Sequence, residues 1–361
     1  MRRKEHRLEA ESNRNRTFDT AKGIGILCVI LGHLAYVNAV FPFHMPLFFV
    51  ISGWFLSEKR SPKEFFLKRV CDLMPAYCFT SVCLILLSIL HDALAHCTVQ
   101  EIMRNALTVF LQALYGSGSD GNRTAWGIGQ IGAIWFLPAM IWATAYIRWV
   151  VEVMTRPYVR ILVVMCTFVA CWQSARWFWL PFSIQAGGCA ALFVYLGWAA
   201  RKLLKLPRVR EHYLRYRKYI VPVGLVAWLY LYEIGRFPIM VMAVFPKFPL
   251  TVILPILIIA AILHISKWIG ALGVVARALS FYGRYSLPIL CFHLIELEYC
   301  PWYVLRWKLL LQGVSYNMEI LIIFLLKILF CTVLTLLASR IRPIRNLFRL
   351  PEPVTDNRIE G

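Results

Sequence analysis

The sequence predicts an all-α fold: a polytopic helical bundle in a membrane, with about ten transmembrane helices and both termini cytoplasmic. Three observations predict it. Of the 361 residues, 60% are apolar and 14% aromatic, and mean hydropathy is +0.63; soluble domains hold roughly 45–50% apolar residues. Apolar runs of nearly the length needed to cross a hydrocarbon core, about 20 residues, recur along the chain. The cations fall in short clusters between those runs rather than in one patch.

In chain order the expected spans are 20–40, 44–57, 73–91, 131–150, 158–174, 183–200, 218–235, 249–265, 284–299 and 317–339. The second is short, and the ninth carries polar residues. Segment 101–115 is amphipathic, which predicts a helix lying at the membrane interface. Orientation follows from the cations. Of 39 Lys and Arg, 31 fall in segments 1–22, 57–69, 147–160, 201–218, 266–284 and 340–361, and seven fall in the alternate loops. Lys327 is left over, inside the last span. The positive-inside rule then puts the rich segments and both termini in the cytoplasm. The net charge of +20 therefore reports topology and contact with anionic membrane lipid, and no nucleic acid is expected as a partner.

The chain divides into a basic N-terminal segment (1–18), a membrane domain (19–340) and a cytoplasmic tail (341–361). No small-residue cleavage site closes the first apolar run, which predicts an uncleaved first helix. Loop 92–130 holds the sequon Asn122-Arg123-Thr124, which matters only in a eukaryotic secretory lumen. The eleven Cys are scattered through apolar runs, without C-x-x-C pairs or zinc spacing, and read as small buried apolar residues. No metal and no tightly bound cofactor are expected.

The first span carries ionisable residues that lipid disfavours. On a helix, Lys22 and His33 lie eleven residues apart, about 20° apart in azimuth and about 16 Å apart in rise. Asp19 sits one turn before Lys22 on nearly the same face. Such a stripe must face protein or a watery cavity. Asp19 and Lys22 also fit a simple pair marking the cytoplasmic end. His33 lies over halfway along the span, and histidine is the side chain best suited to move a proton near neutral pH. Pro42 and Pro46 interrupt the helix that follows, leaving His44 at a bend and Ser52 and Gly53 in the second span. Trp135 suits either stacking on a sugar ring or an interfacial anchor. His293 and Glu296 are one helical turn apart, spacing for a hydrogen-bonded pair.

These stretches resemble the acyltransferase-3 family of integral membrane O-acyltransferases, in particular its fucose 4-O-acetylase-like branch. The opening DTAKGIGILCVILGH followed by FPFHMPLFFVISGWFL carries the likeness first. KRVCDLMPAY then resembles the family's basic third-helix start, GAIWFLPAM its Trp-Phe-Leu-Pro stretch, and YGRYSLPILCFHL its late Ser-Leu stretch ending in His. The likeness runs in order from Asp19 to about His293. It implies transfer of an acyl group, acetyl by default, from cytoplasmic acyl-CoA to a hydroxyl of a carbohydrate or cell-surface glycan, in a multi-pass protein of the bacterial plasma membrane. Lys22 stands where the family commonly has Arg, eleven residues before the histidine. The family's second third-helix Arg is replaced by Asp72, leaving Lys68 and Arg69 as cations for the coenzyme.

Transfer to a hydroxyl needs a base, and His33 is the candidate, with Asp19 holding Lys22. Ser52, His44 and Trp135 are candidate donors to the developing oxyanion, and His293 a candidate acceptor contact. The reaction then occurs within the bundle or calls for a separate extracytoplasmic transferase. A membrane transporter or flippase of a glycan or lipid-linked sugar is the alternative, since it too needs intramembrane polar groups and a cavity. The absence of matching halves weakly disfavours it.

Overall fold

A computed structural model describes residues 16–118 and 124–350. The Asn122 sequon position, most of the basic N-terminal segment and the last eleven residues of the tail lie outside the described residues. Within them the chain is helical, with isolated bridges at Thr124–Trp179 and Ile239–Val244 and no ladder of strands.

The helices are α1 (Arg16–Gly32), α2 (Val37–Val40), α3 (His44–Trp54), α4 (Pro62–Leu94), α5 (Val99–Tyr115), α6 (Phe136–Val153), α7 (Pro157–Ser174), α8 (Ile184–Leu203), α9 (Pro207–Tyr216), α10 (Ile220–Ile234), α11 (Leu250–Ile269), α12 (Gly273–Arg284), α13 (Ser286–Tyr299), α14 (Trp302–Leu311), α15 (Tyr316–Arg340) and α16 (Arg342–Leu347). Seven stretches among the described residues are long and apolar enough to cross a membrane: Val37–Trp54, Pro62–Leu94, Ala133–Val153, Pro157–Ser174, Pro181–Leu203, Leu250–Ile269 and Tyr316–Arg340. By length and composition these cover seven of the ten expected spans. The other three expected spans form helices α1, α10 and α13 of 17, 15 and 14 residues, short of the usual spanning length.

Local chemistry sets the ends. Ser61 begins α4 with a capping box to Glu64 and Pro62 in the first turn, which satisfies amide groups that have no partner in the helix. At 33 residues α4 is about 50 Å long, well beyond the expected 73–91. The amphipathic segment forms α5, capped by Thr98 and Glu101 and stopped by Gly116 in the left-handed region, where glycine carries no Cβ penalty. The first helix does not continue to residue 40. It ends at Gly32, and the chain turns through Tyr36 before α2 and α3.

Two close crossings hold the bundle where the site is built. α1 packs along α12. A Cβ on Gly23 would overlap the Leu279 carbonyl, and one on Gly283 would overlap the Asp19 carbonyl. α3 crosses α8 in the same way, with Gly53 against Val194 O and Gly197 against Val50 O. Small residues facing each other let backbones approach closely, which strengthens dispersion contacts where lipid supplies no hydrophobic drive. The loop after α3 is pinned from both sides. Buried Arg148 on α6 donates to the Arg60 carbonyl at 3.0 and 2.6 Å. The Glu58 carboxylate accepts from Trp198 at 2.9 Å and pairs with Arg201 and Lys202 on α8.

Candidate active site

Two cavities lie back to back beside α1, sharing Val29, Met45 and Leu290 as a common wall. The first has a volume of about 270 Å³ and is lined by His33, His44, Trp135, Gln130 and Glu298 among others. The segment Pro238–Val241, between α10 and α11, forms another part of its wall. The second is about 170 Å³ and is lined by Lys22, Arg69, Ser52 and Ser286 together with apolar side chains.

His33 closes the last turn of α1, its backbone N–H reaching Val29 O at 3.3 Å. It keeps exposed surface, and the first cavity lies against it. Its ring Nδ1 is 2.9 Å from the same Val29 carbonyl. A carbonyl only accepts, so Nδ1 carries the hydrogen and the neutral ring's lone pair is on Nε2. Across from it stands His293 on α13, fully buried, with the two rings edge to face at 5.1 Å between centroids. His293 Nδ1 is 2.6 Å from Glu296 Oε1, so it donates to that carboxylate. Its Nε2 is left as an acceptor 3.4 Å from His33 Nδ1, a weak second branch of the His33 N–H. Hydrogen bonds thus run from the cavity wall to a carboxylate: His33 to His293 to Glu296.

Glu296 is itself fully buried and fully partnered. Lys327 Nζ lies 3.0 Å from Oε1 and 2.7 Å from Oε2, and the Trp302 indole N–H donates to Oε2. A buried carboxylate survives in low dielectric only when its lone pairs and charge are met in this way. His293, Glu296 and Cys331 bring potential metal-ligating atoms within 4.8 Å of one another. The cation that Glu296 already holds is the Lys327 ammonium, so this donor set does not suit a metal ion.

His44 also lines the first cavity and is buried, its Nδ1 2.9 Å from Val40 O and its ring 4.8 Å from Phe41. By the same reasoning its Nε2 carries a lone pair, but its partner is a neutral carbonyl.

Residues 15–339 match the family described as Acyltransferase domain (Acyl_transf_3). The chain belongs to this acyltransferase family. It is also similar to nodulation protein NolL of Sinorhizobium fredii, with 43% identity over 61 residues, covering 13% of this chain and 17% of that protein. The match thus spans well under two thirds of its relative. No solved structure matches. Its apolar helices and this family fit a multi-pass membrane protein, and family membership does not favour the transport alternative.

The chain brings together His33, His44, Trp135 and His293 around or beside the first cavity. It sets Lys22, Ser52 and Arg69 around the second. Asp19 lies 3.8 Å from Lys22 and lines neither. Lys68 does not join Arg69: its ammonium is 2.5 Å from Asp72, one turn on. Ser52 stands with the cations rather than with the imidazoles, apart from the place an oxyanion donor next to His33 would occupy. Sequence reasoning paired His293 with Glu296 but gave Glu296 no role in the site, and it missed Lys327 and Trp302. Lys327 did leave a signal as the one cation that the topology count could not assign to a loop.

Proposed function

We propose that this acyltransferase moves an acyl group, acetyl by default, from cytoplasmic acyl-CoA to a hydroxyl of a carbohydrate or cell-surface glycan, with His33 as general base. The observation that carries this reading is the pair of adjoining cavities, one lined by cations and one by a histidine wired to a buried carboxylate. Lys22 and Arg69 suit the phosphates of the donor, and the apolar remainder of that cavity suits its acyl arm. The acceptor enters the cavity beside His33, Trp135 and Glu298.

Proton movement follows from the tautomers. The acceptor O–H gives its proton to His33 Nε2 as its oxygen attacks the thioester carbonyl. The C–O bond forms, the tetrahedral intermediate collapses, and the C–S bond breaks. The departing sulfur takes the proton from Nε2, which returns His33 to its starting form. While His33 is an imidazolium, the His293 lone pair and the Glu296 charge behind it stabilise the positive ring. His33 and His44 each meet a backbone carbonyl at Nδ1, but His33 also reaches His293 and the Glu296 charge behind it, which is why His33 is favoured as the base. Trp135 supplies a donor on the acceptor side, and His44 presents an acceptor at Nε2.

The topology proposed with this function keeps ten crossings, counting α1, α10 and α13 as short ones sheltered by their neighbours, with both termini cytoplasmic. Residues 19–340 form the catalytic membrane domain and 341–361 the tail. The membrane is the bacterial plasma membrane, where the cations contact anionic lipid, and the product modifies a cell-envelope polysaccharide. Release of the acceptor to the outside either occurs from the first cavity or uses a separate extracytoplasmic transferase.

The test is acyl transfer from radiolabelled acetyl-CoA to surface glycan in purified membranes. His33→Ala is expected to lower kcat by about 10²–10⁴-fold, the usual contribution of a general base. Full activity in a correctly inserted His33→Ala protein overturns the assignment.

A further inference from the structure

Between Glu319 in its first turn and Arg340 at its end, α15 carries Lys327 as the one Asp, Glu, Lys or Arg. Lys327 is 2% exposed, so it does not reach water along its own stem. A charge at such depth in an apolar helix is costly and marks a function or a partner. The partner is Glu296, held through both carboxylate oxygens, with the Trp302 ring 5.2 Å below the ammonium. Every lone pair that Glu296 presents in this pocket meets an N–H: His293 and Lys327 at Oε1, Lys327 and Trp302 at Oε2. A protonated carboxyl group would have to turn its O–H toward one of these donors. The pocket is built for the carboxylate.

We propose that Lys327 is a positioning residue for acyl transfer: by holding Glu296 as a carboxylate it sets the tautomers of His293 and His33, so that the lone pair at the cavity belongs to His33 Nε2. This rests on the reading of His33 as the base. Each step is fixed by what its neighbour can accept. The carboxylate takes the hydrogen on His293 Nδ1, and His293 Nε2 is then a lone pair. That lone pair and the Val29 carbonyl both call for a hydrogen on His33 Nδ1. Remove the ammonium and an uncompensated buried carboxylate takes up a proton instead. The new acid can donate to His293 Nδ1, which moves the His293 hydrogen to Nε2. Two N–H groups would then face each other across the 3.4 Å gap, and the His33 ring would have to leave the Val29 carbonyl or turn away from the cavity. Groups that face Glu296 are His293 on its own helix, Lys327 and Cys331 from α15, and Trp302 from α14; His33 of α1 reaches it through His293.

The experiment compares Lys327→Met, Lys327→Arg and the double variant Lys327→Met/Glu296→Gln with the wild type, with His33→Ala run in parallel. All are full-length proteins in membranes or detergent. Kinetics are read with acetyl-CoA, and tautomers from 15N-histidine NMR with resonances assigned through single His33 and His293 substitutions. Lys327→Met is expected to lose about 10²-fold in kcat or more, with KM for acetyl-CoA changed less than about twofold, since the cations around the second cavity are untouched. The Nδ1–H signatures of His293 and His33 should be lost together. Lys327→Arg should recover part of kcat and both signatures. Should Lys327→Met fail to fold, the double variant removes both charges and leaves neither buried alone. Its amide no longer dictates which way His293 donates, so kcat should stay low in a folded protein. Wild-type kcat and unchanged tautomers in either folded variant, with His33→Ala inactive, overturn the role of Lys327 alone. Activity retained in His33→Ala overturns the base assignment itself.

Discussion

The two ends of α1 use the same kinds of side chain in opposite ways. Around His33 the ionisable groups are deep and closed: His293, Glu296 and Lys327 are at most 2% exposed, and each hydrogen bond fixes the direction of the next. Around Lys22 they are shallower and looser. The side chains of Lys22 and Asp19 are 29% and 7% exposed and 3.8 Å apart, and those of Lys68 and Asp72 are 40% and 15% exposed. The difference suits the two tasks proposed for them. Handling a proton requires that one nitrogen be left and all other directions be taken. Gripping a flexible polyanion requires cations that can shift, since their energy comes from charge more than from angle.

That contrast can be broken, beginning where the effect is largest. Glu296→Ala leaves the Lys327 ammonium buried without its counter-charge, which typically costs about 3–5 kcal/mol; thermal unfolding in detergent should show a large fall in Tm. Lys68→Ala at the looser end should leave Tm nearly unchanged, and equal losses at both ends would erase the distinction. Gly53→Ala pushes a methyl group into the Val194 carbonyl and should cost about 1–3 kcal/mol through overpacking, read as lower Tm with KM unaltered. Arg69→Ala is expected to raise KM for acetyl-CoA about tenfold, as loss of one charge-assisted contact would, while kcat holds. A fall in kcat without a change in KM would put Arg69 with the proton-handling end instead.

The smallest effect concerns Glu58, in the loop after α3. Burial opposes its ionisation, but hydrogen bonds from Lys202 and Trp198 and the charges of Lys202 and Arg201 hold its carboxyl below the usual range. A depressed carboxyl contributes stability above its unfolded pKa and loses it as pH falls through the folded one. Glu58→Gln should therefore lower Tm slightly at neutral pH, and the gap to wild type should close below about pH 4. Added salt should shrink it as well.

Much of this was legible in the residues. The eleven-residue interval between Lys22 and His33, the prolines flanking His44 and the one-turn interval between His293 and Glu296 are local, and helical geometry converts them into positions. What escaped was nonlocal. Lys327 meets Glu296 from 31 residues away and Trp302 comes from a separate short helix, contacts that only the packing of α13 and α14 against α15 creates. The segment after α10 was hidden for another reason. Pro238–Val241 is apolar, yet three prolines between 238 and 249 keep it from continuing as an α-helix, leaving a single 3-10 turn at Met240–Met242 that lets it wall the cavity. Hydropathy also misplaced the ends of spans, because it registers apolar stretches and is blind to where a helix stops, as at Gly32.

The interlock of α1 with α12 has a consequence for which donors fit. With Gly23 under the Leu279 carbonyl and Gly283 under that of Asp19, the two rods cannot slide past each other without backbone collision. Within α1 the rise from residue 22 to residue 33 is about 16 Å, and the interlock holds that length in place against α12. Under the proposed function, a thioester whose anionic head and reactive carbon lie too close together would not reach both marks at once.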